Sequence, residues 1–258
     1  MSLPEILAAV RPTETGFTAT IPDNWMQGRT SYGGLSSALA LSAAQRLADD
    51  LPPLRSAQVS FVGPLAGEVD VRVKMLRRGR NASWVSAEVV SEAGVGLAAT
   101  FVFMGPVTSA LHLHDVPPPA GLIAVEDATP LPESAGPGFT RHFERRWALE
   151  RSDDKQPELL WWVRLKDRAT LDPMVELMLI ADALPPGVMP LLTSWVPVSS
   201  MTWLCNLLTA TPRTRDSWFL LRAAGNYAEN GCSSQNMAIW NAGGEAIAAG
   251  MQSIALFG

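Results

Sequence analysis

Residues 31–50 read SYGGLSSALALSAAQRLADD, and how this stretch is read decides the fold. It opens on the Gly33-Gly34 pair and then has the composition of a helix. From Gly33 to Ala48 its only strongly polar side chains are Gln45 and Arg46, and ten residues are Gly, Ala or Ser. A helix on the surface of a globular protein carries one apolar stripe and one charged face. This one is small and apolar nearly all round, so it must be buried all round. A strongly curved sheet can wrap such a helix, and small side chains let that sheet come close.

The residues that follow supply the sheet. SAQVSFVGPL (56–65), VDVRVKMLRR (69–78), WVSAEVVS (84–91) and LAATFVFM (97–104) all read as strands. In the second of them Val69, Val71, Val73 and Met75 share one face. The order recurs further along the chain. DPMVELMLIAD (172–182) is a second apolar helix, with Asp172 as N-cap and Pro173 in the first turn. Pro185-Pro186-Gly187 prevents its continuation. VSSMTWLCNLL (198–208), SWFLLRAAGNYA (217–228) and two closing strands come after it.

The closing hairpins of the two halves correspond in sequence. GRNASWVSAEVVSEAGVGLAATFVFMG (79–105) pairs with ENGCSSQNMAIWNAGGEAIAAGMQSIALFG (229–258). Ser83 pairs with Ser234 and Ala87 with Ala238 at one offset. Leu97-Ala98-Ala99 pairs with Ile247-Ala248-Ala249 at an offset one residue shorter. This implies a duplication. Between the halves, residues 106–138 hold seven of the chain's 20 prolines. The expected organisation is therefore a repeat over 1–105, a Pro-rich linker over 106–138 and a second repeat over 139–258. The fold class is α+β.

The bulk composition narrows the function. The chain has 258 residues, 47% of them hydrophobic and 17% charged, which suits a sizeable core. A net charge of −5 argues against a nucleic-acid partner. Cys205 and Cys232 form neither a disulfide framework nor a zinc spacing. The N-terminal MSLPEILAAVRPTETG does not read as a signal peptide. The uncharged stretch 183–212 contains five prolines and so does not read as a membrane span. A soluble, cytoplasmic protein with no membrane partner is the expectation. GVGLAA (94–99) runs into a strand and fails as a dinucleotide loop. His112 and His114 lack a third metal ligand. There is no GxSxG elbow and no Walker loop. Neither a metal nor a cofactor is expected.

TSYGGLSSALALSAAQ, VSFVGPL, RRGRNASWVSAEVV and GLAATFVFMGP in the first half, with MLIAD, SSMTWL, GCSSQNMAIW and AIAAGMQS in the second, resemble the type II (TesB-like) acyl-CoA thioesterases and their thioesterase-like relatives. The resemblance implies a double hotdog, in which two tandem repeats each wrap a long apolar helix in a curved antiparallel sheet. It implies hydrolysis of an acyl-CoA thioester by water without a covalent intermediate. The family Asp at the end of the second helix falls on Asp182, and the family Gln on the last strand falls on Gln252. The family Thr falls on Pro197 or Val198, neither of which has a hydroxyl. Ser199 and Ser200 lie beside it. Ser199 is preferred because it shares strand parity with Trp203.

Other residues are expected to bind the substrate. Lys74, Arg77, Arg78 and Arg80 cluster in an acidic chain and suit the phosphates of CoA. Arg80, with the paired Ser83 and Ser234, is assigned to substrate binding. The N–H groups that follow Gly33-Gly34 can polarise a carbonyl or bind an anion. Met174, Met178 and Trp203 are candidates to line an acyl pocket. Two other readings stand beside hydrolysis: a hotdog hydratase or dehydratase, and a non-catalytic acyl-CoA-binding module. A homodimer or higher homo-oligomer is compatible with all three.

Overall fold

The computed structural model describes every residue except Ala135, Arg151, Asp153, Trp195 and Gly258. In chain order the elements are α1 (Leu3–Ala8), β1 (Arg11–Thr13), β2 (Gly16–Ile21), β3 (Met26–Gln27), β4 (Thr30–Ser31), α2 (Gly33–Gln45), β5 (Leu54–Phe61), β6 (Gly67–Arg78), β7 (Ala82–Ser91) and β8 (Gly94–Met104). The second half adds β9 (Phe143–Trp147), β10 (Glu158–Leu165), α3 (Pro173–Ala181), β11 (Val198–Leu207), β12 (Phe219–Glu229), β13 (Cys232–Asn241) and β14 (Ala246–Leu256).

The apolar helix of residues 31–50 is α2, and every residue from Gly34 to Ala44 is buried. Its end falls at Gln45, with Arg46 as C-cap, rather than at Ala48. Asp172 caps α3 as expected, accepting from the N–H groups of Met174 (2.9 Å) and Val175 (3.1 Å). Asp182 is the C-cap residue of the same helix.

Twelve strands form one sheet in the order β1-β2-β6-β7-β8-β5-β11-β14-β13-β12-β10-β9. Each half of the order mirrors the other about the antiparallel β5–β11 pair, where Val59 faces Trp203. The helices run antiparallel, and a hydrogen bond ties each end of the pair. Gln45 Nε2 donates to Asp172 Oδ1 (3.0 Å), and Tyr32 Oη donates to the Leu179 carbonyl (2.6 Å). The start of α2 is therefore fixed against the end of α3. The Leu179 carbonyl is one of those that a helix terminus leaves without an intrahelical partner. Tyr32→Phe removes its buried donor, and about 1–2 kcal/mol of stability is expected to go with it. A urea midpoint unchanged from the wild type would show that the bond does not tie the helices.

The strand faces correct the pairing of the repeats. On β7 the inward residues are Ser83, Val85, Ala87 and Val89, and on β13 they are Ser233, Gln235, Met237 and Ile239. Ser83 thus corresponds to Ser233, not Ser234. Likewise, Ala87 corresponds to Met237, not Ala238. Cross-strand register extends the match, because Val85 faces Phe101 while Gln235 faces Gln252. Between the paired residues Ile239 and Ala248 the second hairpin holds one residue more than the first does between Val89 and Leu97, so the sequence alignment slips by one on either side of the turn. A slip of one residue exchanges the two faces of a strand.

Part of the Pro-rich segment lies across the outer face of the second half. Val125 and Ala128 are buried there with Trp162, Trp218, Leu220 and Trp240, and Val116, Leu122 and Ile123 pack around them. The indoles of Trp240 and Trp162 donate to the carbonyls of Val116 (2.7 Å) and Ile123 (2.9 Å). Among the described residues, no helix is long and apolar enough to cross a membrane.

Candidate functional site

The end of α3 delivers Asp182 to the seam between the halves. The residues before it, Met178 to Ala181, are buried, so the carboxyl stands on an apolar base. Gln252 reaches it from β14, donating from Nε2 to Asp182 Oδ1 (3.0 Å). The same nitrogen donates to Ser200 Oγ on β11 (2.9 Å). From the other half, the Gly34 N–H at the start of α2 donates to the Asp182 carboxylate. Burial raises the Asp182 carboxyl to about 7 against these two hydrogen bonds, which lower it. A Cβ on Gly33 would stand 2.7 Å from Asp182 Oδ2 and 2.8 Å from the Phe61 ring at the end of β5. Both halves therefore build the site.

The structure brings Asp182 and Gln252 together as the sequence led us to expect. Ser199 does not join them, and Ser200 takes its place beside Gln252. Ser199 is exposed, and its hydroxyl bonds only the neighbouring Ser200 carbonyl, at 3.5 Å. The cause is a β-bulge. In the β11–β14 ladder, Ser200 faces Ile254 while Thr202 faces Ser253, so Met201 is the extra residue. One extra residue inverts the alternation beyond it. Ser200, three residues from Trp203, therefore points inward. Ser200→Ala should cost the hydrolysis proposed below about 10–100-fold in kcat, as an activating hydroxyl does, and Ser199→Ala less than about twofold. Equal effects from the two would overturn this assignment.

The three substrate-binding expectations do not join this group. Arg80 and Ser83 line a groove of about 360 Å³ with Asp50, Arg78, Asn81 and Pro106. This groove is at the other end of the first-half sheet. Ser83 faces Phe103, which faces Leu54 at the start of β5, whereas Phe61, beside Asp182, is at its end. At about 3.3 Å per residue, the length of β5 separates them by roughly 20 Å. The mirrored halves place equivalent hairpins at opposite ends of the central strand pair. Ser234 lies next to the site in sequence but on the opposite face of β13 from Gln235. Its neighbour Ser233 is the inward residue, and the Ser233 hydroxyl is buried without a hydrogen-bond partner.

Met174, Met178 and Trp203 are all buried in the main core. Trp203 also borders a cavity of about 10 Å³, with Ala181, Cys205 and Met237. A cavity of that size holds about one water molecule.

One polar residue at the site was missed in the sequence. Gln235, 1% exposed, donates from Nε2 to Gln252 Oε1 (2.7 Å) and accepts from the Gly187 N–H (2.7 Å). CSSQN places polar residues on both faces of β13, so alternation could not single it out. Among the described residues, no group of three or more His, Cys, Asp or Glu is placed to hold a metal ion. His142, another candidate acid or base by residue type, stacks on Trp25 at 3.7 Å and bonds the Asn24 carbonyl.

Two helices packed antiparallel on one mirrored antiparallel sheet, with a carboxyl–amide–hydroxyl group at their junction, make this a hotdog-fold protein. The fold extends to distant sequences. A conserved protein of unknown function with a hot dog fold from Alicyclobacillus acidocaldarius superposes with a TM-score of 0.86 at 18% identity, covering 98% of this chain and 97% of that one. The tesB protein of Mycobacterium avium subsp. paratuberculosis gives 0.77 at 18% identity, covering 99% of each chain. Acyl-CoA thioesterase II TesB2 from Mycobacterium marinum gives 0.74 at 18% identity, covering 99% of this chain and 98% of that one. Comparison with curated protein sequences returns no match. The acyl-CoA thioesterase N-terminal domain family matches residues 21–104, and the acyl-CoA thioesterase C-terminal domain family matches residues 119–256. The chain belongs to the acyl-CoA thioesterase family.

Proposed function

We propose that this protein is a double hotdog, with repeats over 1–105 and 139–258 joined by the segment 106–138, that hydrolyses acyl-CoA thioesters by activated water. The observation that carries the reading is the junction of Asp182, Gln252 and Ser200. A carboxylate with a pKa of about 7 is a general base matched to neutral pH. In the ionised form Asp182 takes a proton from water as the water oxygen attacks the thioester carbonyl carbon. The electron pair of the carbonyl moves to oxygen and returns as the C–S bond breaks. The thiolate of CoA leaves and collects the proton. Ser200 accepts from Gln252, so its own O–H is oriented away and available to the water or the carbonyl oxygen.

The hotdog fold also carries dehydration chemistry, but the carboxyl here is met by the Gln252 amide and the Gly34 N–H rather than by an imidazole. A binding module with an incomplete site is disfavoured because Ser200 restores the hydroxyl absent from Pro197 and Val198. The test is thiol release from a panel of acyl-CoAs, short to long and including aromatic ones. Release that follows an acid limb near pH 7 supports the proposal. A folded protein that releases thiol from none of them points to the binding module instead.

A further inference from the structure

The hydrogen bonds at the site have a direction. A backbone N–H can only donate, so the Gly187 N–H fixes Gln235 with Oε1 toward it (2.7 Å). That leaves Gln235 Nε2 facing Gln252, which must present Oε1 to it (2.7 Å). Gln252 Nε2 then faces Asp182 Oδ1 (3.0 Å) and Ser200 Oγ (2.9 Å). Both protons of that nitrogen are used. The anchor is rigid, because a Cβ on Gly187 would stand 2.6 Å from the Ala223 carbonyl oxygen and 2.8 Å from the Gly225 nitrogen of β12. The Pro185-Pro186-Gly187 segment that stops α3 thus lies against β12 with its N–H aimed at Gln235. In the first half, Val85 and Phe101 occupy the register of Gln235 and Gln252. The amide pair is confined to the half that holds the carboxyl.

We infer that Gln235 is a positioning residue: held by the Gly187 N–H, it fixes which end of the Gln252 amide meets Asp182 and Ser200. The inference rests on the hydrolytic reading for its kinetic consequence but not for its structural one. With Gln235 absent, the Gln252 amide is free to turn over. Turned over, it presents an oxygen to the carboxylate and favours the protonated acid. The groups that face Asp182 are Gly34 and Tyr32 from the start of α2, Phe61 from β5 and Gln252 from β14. Of these Tyr32 alone is titratable, and burial and the Asp182 charge push its phenol well above 10. Any shift near neutral pH therefore belongs to Asp182.

The test is Gln235→Met, which keeps the length of the side chain and removes both hydrogen bonds. The Asp182 carboxyl is followed by carbon NMR across pH 5–9. Its midpoint is expected to rise by about half to one pH unit. For hydrolysis, the acid limb should rise with it, kcat should fall about tenfold and KM should stay within about twofold. Gln235→Met/Gln252→Met should be no worse than Gln252→Met alone. A folded variant whose Asp182 midpoint does not move overturns the inference, whether or not the wild type releases thiol. The wild type gives a second readout that needs no variant. The Gln252 side-chain NH₂ protons should shift as Asp182 titrates. NH₂ protons that ignore that titration would mean the amide points the other way.

Discussion

Asp182→Asn is expected to lower thioester hydrolysis by about a thousandfold, the scale of a missing general base. It is also expected to change how stability depends on pH. The carboxyl rises from 3.8 to about 7 on folding because burial disfavours its charge. A folded state with the higher pKa binds its proton more tightly than the unfolded chain. The stabilisation is full below the unfolded value, falls as pH rises from about 4, and is gone above about 7. Across that span the shift corresponds to at most about 4 kcal/mol. Asp182 is only partly buried, which reduces the figure. The asparagine variant does not titrate. Its stability relative to wild type should therefore grow by about 2 kcal/mol between pH 5 and pH 8. The comparison within one variant cancels the fixed effect of an NH₂ group near the Gly34 N–H. Urea unfolding of both proteins at the two pH values measures it. A constant gap would mean the wild-type carboxylate is not strained, and an active variant would remove Asp182 from the role of base.

A carboxylate held at the end of a helix is also opposed by that helix's dipole. The start of α2 offsets this by pointing its own positive end and the Gly34 N–H at the same group. The site thus combines a destabilising position in one half of the chain with a compensating one in the other. Asp182 is therefore a group of the interface as much as of α3.

How much of this was legible depended on whether a residue's surroundings contrast with it. Asp182 after LMLIA and Gln252 inside IAAGMQSIALF are polar residues in apolar text, and both stood out. The all-apolar helix stood out for the converse reason, since nothing exposed could have its composition. Ser200 was hidden by geometry. Alternation assumes a regular strand, and the bulge at Met201 breaks it without a glycine or proline to mark the place. Gln235 was hidden by its neighbours, as Ser233, Ser234, Gln235 and Asn236 are polar on both faces. Arg80 was drawn in by its basic neighbours, and Ser83 by its match to Ser234. Residues that match between repeats share a position within a repeat, and the mirrored sheet sends the two copies of that position to opposite ends.

Gly34→Ala should be the most damaging change in the opening helix, although helix propensity predicts the reverse. Alanine favours a helix over glycine by about 1 kcal/mol. Here its Cβ would stand 2.5 Å from the Leu179 carbonyl oxygen and 2.5 Å from Tyr32 Cζ and Oη. Neither obstacle is a flexible tip. The first is α3 backbone, and the second is a buried ring held by its bond to that same carbonyl. Either α3 retreats or the Tyr32 bond breaks, and overpacking of this kind costs about 1–3 kcal/mol. Retreat of α3 carries Asp182 away from the Gly34 N–H and from Gln252 together. A misplacement of about 1 Å at a reacting group costs on the order of 100-fold in rate. Gly33→Ala is a different case. Its Cβ meets the Asp182 Oδ2 and the edge of Phe61, both side-chain ends that can give way. It should melt close to the wild type while its activity falls, because the methyl group stands against the reacting oxygen. Thermal melts and kcat/KM for the pair separate the two roles. A Gly34→Ala protein that melts with the wild type would mean that the helices do not approach as closely as 2.5 Å implies. The glycine pair would then have no structural reason to open so apolar a helix.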